Sequence, residues 1–112
     1  MARRTVLEKD PIIRLFMEEY LPRIRAEFKP SQVRLFGSRV RGDALEHSDL
    51  DVVLVSRRFE TIDWVDRAGT VLKRAKIDRW IEFLCYTPEE FKRKRREIGI
   101  VQAAVEEGVR VV

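Results

Sequence analysis

Asp49 and Asp51 stand two residues apart, and Val52-Val53-Leu54-Val55 follows them directly, which reads as a buried strand opened by acids. Strand side chains alternate faces at about 3.3 Å per residue, so the two carboxylates share one side, roughly 6 to 7 Å apart at the backbone. Such a pair can clamp one or two hard cations. Left without a partner or a metal beside an apolar run, the charges would cost the fold about several kcal/mol. No basic residue on that strand face is available to neutralise them. Upstream, Val33-Arg34-Leu35-Phe36 alternates like a strand and ends at Gly37-Ser38. Glycine there lets the backbone turn tightly and approach a ligand. A short helix beginning near Ser38 would present free N–H groups and a hydroxyl to an anion. A triphosphate with magnesium suits both halves.

A two-metal site needs a third carboxylate, and the strand expected over residues 79–86 is where to find it. There Trp80, Glu82, Leu84 and Tyr86 share one face while Ile81, Phe83 and Cys85 share the other. Glu82 is the acid well inside that strand. Asp78, one residue before it, competes for the role, and a solvent-facing Glu82 paired with an arginine is the plain alternative. Arg39 and Arg41 follow the Gly-Ser turn, and the arginine fork matches phosphate oxygens in bidentate fashion. They read either as contacts to a triphosphate or acidic acceptor, or as solvated loop residues. His47, the one histidine, sits in the loop before the acids, where a surface role is favoured over a general base.

The elements that position these residues alternate without linkers, repeats or low-complexity tracts. Asp10-Pro11 is a cap-then-first-turn signal, and Ile13, Phe16, Tyr20, Ile24 and Phe28 mark one face of a first helix that Pro22 should kink or restart. Asp63 can cap a helix with an apolar stripe of Val65, Ala68, Leu72 and Ala75. Thr87-Pro88-Glu89-Glu90 forms a capping box before a helix that runs into the basic stretch of residues 92–96. A further helix ends at Gly108, and residues 109–112 read as a short last strand.

Composition bounds the rest. At 112 residues the expectation is one domain spanning 1–112, with a real core and no second lobe. No 18-residue apolar run exists and residues 1–5 lack an apolar signal segment, so a soluble, cytoplasmic protein without membrane contact is expected. Cys85, alone in an apolar run, reads as a reduced packing residue. The chain is 38% charged and has no Asn, a weak hint of a thermophile that genome base composition could equally produce. Net charge +4 and pI near 9.6 raise nucleic-acid binding. However, acids at the start and cations at the end of the 88–96 helix match the helix macrodipole, which favours a solvated or partner-docking face over a nucleic-acid groove.

Gly37-Ser38, ten intervening residues, then Asp49-Leu50-Asp51 between two apolar strands resembles the signature of the DNA polymerase β-like nucleotidyltransferase superfamily. The form Gly-Ser-Arg-Val-Arg-Gly followed by Ser48-Asp49-Leu50-Asp51 is most similar to the minimal nucleotidyltransferase (MNT) group, small proteins often paired with HEPN-domain partners as antitoxins. The similarity runs from the first helix through Thr87-Pro88-Glu89-Glu90-Phe91. It implies an α/β (α+β) fold with a small mixed palm-type sheet flanked by helices. It also implies a metal-dependent transfer of AMP from ATP, two Mg2+ ions held by Asp49, Asp51 and a third acid, and a triphosphate held by Gly37 and Ser38. In that group the third acid, usually Asp, lies five residues before a Thr-Pro-Glu-Glu-Phe-like turn, the place of Glu82, which is one methylene longer. The implied partner is a HEPN protein offering a hydroxyl, with a homodimer as a further expectation. The alternative is a catalytically weak nucleotide- and metal-binding module of the same fold that neutralises its partner by complex formation.

Overall fold

The computed structural model describes residues 7–45 and 47–112; the 1–5 segment discussed above and Glu46 lie outside them. Asp10 caps the first helix as its position predicts, Oδ1 accepting from the N–H of Ile12 at 2.9 Å and of Ile13 at 3.0 Å. Helix α1 (Pro11–Leu15) passes through one wide π turn (Phe16–Tyr20) into α2 (Leu21–Phe28). Pro22 sits just after that turn, where the N–H of Leu21 bonds back five residues to the Phe16 carbonyl. Proline has no N–H to donate, and the wider turn absorbs the missing bond, so the helix continues without a break. Ile13, Phe16, Tyr20, Ile24 and Phe28 are all buried, as their spacing predicts.

Strands β1 (Gln32–Phe36), β2 (Asp51–Val55), β3 (Glu82–Tyr86) and β4 (Val109–Arg110) form one sheet in the order β3-β2-β1-β4. Strand β1 runs antiparallel to β2 and β4, whereas β2 and β3 are parallel. This is the mixed sheet expected of an α+β fold. Alternation sorts its faces. Val33, Leu35, Val52, Leu54, Phe83 and Cys85 pack on one side with α1, α2 and α4 (Trp64–Arg74). Phe36, Val53, Val55 and Tyr86 point to the other, against Phe91 of α5 (Pro88–Lys94) and Val101 and Ala104 of α6 (Ile100–Glu107). Each such buried side chain is worth about 1.5 to 3 kcal/mol, so a one-residue slip of any strand would forfeit several at once.

Three sequence expectations shift. Val65 does not face the core: it is 84% exposed, and Arg67 and Val71 are the buried residues of α4. The apolar stripe is rotated because Arg67 has partners inside, described below, which a count of apolar residues cannot register. Strand β3 begins at Glu82 rather than at residue 79, leaving Trp80 exposed. Strand β4 covers only two residues, although the backbone of Val111 still bonds Val33 at 2.8 Å. The Thr87 capping box is present in both directions. Cys85 is buried, and burial pushes its thiol up to about 12, which leaves it a packing residue. No helix among the described residues is long and apolar enough to cross a membrane.

Candidate active site

Strand β1 delivers the chain to the site at Phe36, which lies opposite Asp51 in the antiparallel register. Gly37 follows with φ 87°, in the left-handed region that favours glycine. A Cβ at this position would lie 2.1 Å from Oδ2 of Asp51, so a bare backbone is what allows the turn to press against that carboxylate. Helix α3 (Ser38–Arg41) starts immediately, the N–H groups of Val40 and Arg41 donating to the Gly37 carbonyl at 3.1 and 3.0 Å. Ser38 is half-buried beside the turn.

Across the turn, Asp49 is exposed, Leu50 is fully buried and Asp51 is half-buried at the first position of β2. The N–H of Glu82 donates to the Leu50 carbonyl at 3.0 Å, and Glu82 pairs with Asp51 in the parallel register. Asp49, Asp51 and Glu82 therefore occupy the same end of two neighbouring strands. Asp51 senses this: burial raises its carboxyl above the usual range, Glu82 and then Asp49 raise it further, and Arg41 opposes them. Among the described residues no three Asp, Glu, His or Cys side chains already converge into a cage for a metal ion. The chemistry of the donors nonetheless fits Mg2+: they are hard carboxylate oxygens, Asp51 held back from ionisation by burial and then by its acidic neighbours, with exposed Asp49 and Glu82 at the same strand ends. Remaining oxygens would have to come from a bound phosphate chain or water.

The other sequence-predicted residues fall into different settings. Arg41 is half-exposed, 3.4 Å from Asp43 and 4.0 Å from Glu107, on the surface near the acids. Arg39 is only 6% exposed; its Nη1 meets Asp10 Oδ2 at 2.9 Å and its Nε donates to the Ser48 carbonyl at 2.7 Å. His47 lies with Ser48, Asp49, Arg79 and Trp80 around a small polar cavity of about 110 Å³. Asp78 is engaged elsewhere, its Oδ1 accepting from the Tyr20 hydroxyl at 2.5 Å. That hydrogen bond, with one from its own backbone, holds Asp78 below the usual carboxylate range. Sequence reasoning found Asp10 only as a helix cap and missed its tie to Arg39. The residues are 29 apart, and the sole local trace was an arginine inside the Gly-Ser turn motif.

The model of the nucleotidyltransferase domain matches residues 17–111, which takes in all four strands and the three acids. The chain belongs to the nucleotidyltransferase domain family. A solved structure of a Sulfolobus solfataricus protein, described as a candidate nucleotidyltransferase, superposes with a TM-score of 0.55 at 24% identity, covering 82% of this chain and 76% of that one. At that identity the likeness speaks for the shared fold. No curated protein matches the chain.

Proposed function

We propose that this nucleotidyltransferase domain transfers AMP from ATP to a hydroxyl on a partner protein, and that the partner is of the HEPN class, as the MNT resemblance implies. The observation that carries the reading is the Gly37 backbone turn pressed against Asp51 while Asp49 and Glu82 crowd the same strand ends. Ser38 and the Gly37 backbone would hold the terminal phosphates, with Arg41 close enough to offset charge on the phosphate chain. Asp49, Asp51 and Glu82 would hold Mg2+, which when bound neutralises phosphate charge and lowers the pKa of the attacking hydroxyl. The acceptor oxygen bonds to the α-phosphorus as the bond to the bridging oxygen breaks, pyrophosphate leaves, and the hydroxyl proton departs to water or a carboxylate. Positioning and charge neutralisation supply most of the acceleration in such transfers.

Co-expression with a HEPN partner, followed by intact-mass measurement, tests this. A gain of one or more AMP units that disappears in Asp49→Asn supports it. A second reading, a metal- and nucleotide-binding module that acts by complex formation, is favoured by the exposure of Glu82. It predicts a tight complex with an unmodified partner at saturating ATP and Mg2+.

A further inference from the structure

We propose that Arg39 and Asp10 form a positioning pair that fixes Asp49 for cation binding, an inference that rests on the acids being a cation site. The pair is buried, with side-chain exposures of 7% and 13%, and its ion contact is 2.9 Å. Asp10 divides its carboxylate: Oδ1 caps α1 through Ile12 and Ile13, and Oδ2 takes the Arg39 guanidinium. The same guanidinium donates through Nε to the carbonyl of Ser48, the residue immediately before Asp49. Ser48 in turn closes the preceding loop, its N–H donating to the Leu45 carbonyl at 3.0 Å and its Oγ accepting from the Leu45 N–H at 2.9 Å. On the far side of Asp49, Leu50 is locked in the core and its carbonyl accepts from Glu82.

Asp49 thus stands between two carbonyls that are each fixed by a hydrogen bond. Leu50 is tied to β3, whereas Ser48 is tied through Arg39 to the start of the first helix. An exposed carboxylate can reach one geometry repeatedly only if its backbone does not swing, and partners that orient a ligand commonly matter to affinity as much as a weak ligand does. Arginine suits the task better than lysine, because its rigid fork addresses the Asp10 carboxylate and the Ser48 carbonyl at once. With Nε and Nη1 engaged by these two acceptors inside the protein, Arg39 acts on the acids through the backbone rather than as a ligand of phosphate.

The test uses Arg39→Lys, Asp10→Asn and the double variant. Asp10→Asn keeps an oxygen for the helix cap, and Arg39→Lys keeps the charge, so both should fold. Titration with Mn2+ alone, followed by calorimetry, should show affinity weakened about 10- to 100-fold in each single variant and no further in the double. Amide exchange at Ser48, Asp49 and Leu50 should accelerate in the absence of any metal. Where transfer is measured, kcat should fall with the KM for nucleotide little changed. Wild-type Mn2+ affinity and exchange retained in both variants would overturn the positioning role, as would a raised nucleotide KM with unchanged Mn2+ affinity in Arg39→Lys. Faster exchange in the variants combined with no Mn2+ binding by the wild type would instead overturn the cation site itself.

Discussion

Where β2 and β3 begin, Asp49, Asp51 and Glu82 share one end of the strand pair and Asp51 is pushed up; where they end, a buried arginine is fully matched. Arg67 is 6% exposed, with Nη1 2.6 Å from Glu90, Nε 2.8 Å from the Ile62 carbonyl and Nη1 3.2 Å from the Cys85 carbonyl. Burial alone would raise Glu90, but its hydrogen bonds from Arg67 and Thr87 outweigh that and hold it below the usual range. The same Glu90 completes the Thr87 capping box, so one carboxylate serves helix start and ion pair together. Every buried side-chain polar atom among the described residues has a partner. One end of the strand pair satisfies its charges internally, and the other holds three acids whose effect on Asp51 Arg41 opposes without cancelling. Under the proposed function, that imbalance is what a cation or a phosphate chain would meet.

Neutralising the unbalanced end should have the largest effect. Asp51→Asn is expected to reduce transfer on the order of 10³-fold or more, the loss of about 4 kcal/mol of transition-state stabilisation, while the metal-free protein melts at or above the wild-type temperature. The sign follows from the raised Asp51 carboxyl. Its ionised form costs the fold stability at neutral pH, and that stability returns as pH falls through the raised value; the variant lacks this dependence. Mg2+ affinity of the wild type should fall over the same acid range, since proton and cation compete for Asp51. Melting curves against pH, with and without Mg2+, would expose a structural role if the variant's metal-free form melted far below wild type.

At the matched end the consequences should invert. Arg67→Met strands Glu90 and two carbonyls, and removing one partner of a buried pair costs about 3 kcal/mol. For a domain of this size that lowers Tm by about 10 °C or more. Transfer per folded molecule, measured well below the transition, should stay within about twofold, because Arg67 touches none of the acids' end. A large fall in turnover with little change in Tm would break the contrast between the two ends.

Glu82→Gln sharpens the comparison within the unbalanced end. Glu82 faces solvent beside Asp51 and is the longest of the three acids. If it completes the site only when the acceptor is engaged, turnover should fall about 10²-fold while Mg-ATP affinity, followed by calorimetry, stays within a few-fold. Loss of Mg-ATP binding with turnover at saturation preserved would make it a nucleotide-holding residue instead.

How much of this could be read from the chain depends on how local the cause is. The Gly37 turn, the short helix at Ser38, the Thr87 box and the face of Ile13, Phe16, Tyr20, Ile24 and Phe28 each follow from neighbouring residues or a fixed period, and all were legible. The stripe of α4 was misread at Val65 because Arg67 is buried by partners at Ile62, Cys85 and Glu90, two of them far along the chain. Asp10 and Arg39 were each legible alone, one as a cap and one as part of a motif. Their pairing belongs to the packing of the first helix against the loop before Asp49, and no spacing rule reports it.

The smallest expected effect concerns Asp78, which sequence left as a rival to Glu82. Its carboxylate is held by the Tyr20 hydroxyl, and the two titrations shift in opposite directions: Tyr20 upward, by burial and then by Asp78, and Asp78 downward, by Tyr20. Asp78→Asn should therefore leave Mg2+ affinity and turnover within about twofold, a change too small to reflect loss of a metal ligand. Tyr20→Phe should lower Tm slightly at neutral pH. A depressed Asp contributes stability above its unfolded value and loses it as pH falls through the folded one. A raised Tyr contributes below its unfolded value and loses it as pH rises through the folded one. The gap between wild type and Tyr20→Phe should accordingly be flat near neutrality and narrow at both extremes. If Asp78→Asn instead abolished Mg2+ binding while Glu82→Gln did not, the third acid would be Asp78, and the charge imbalance would extend past the strand ends to the α2 side of the sheet.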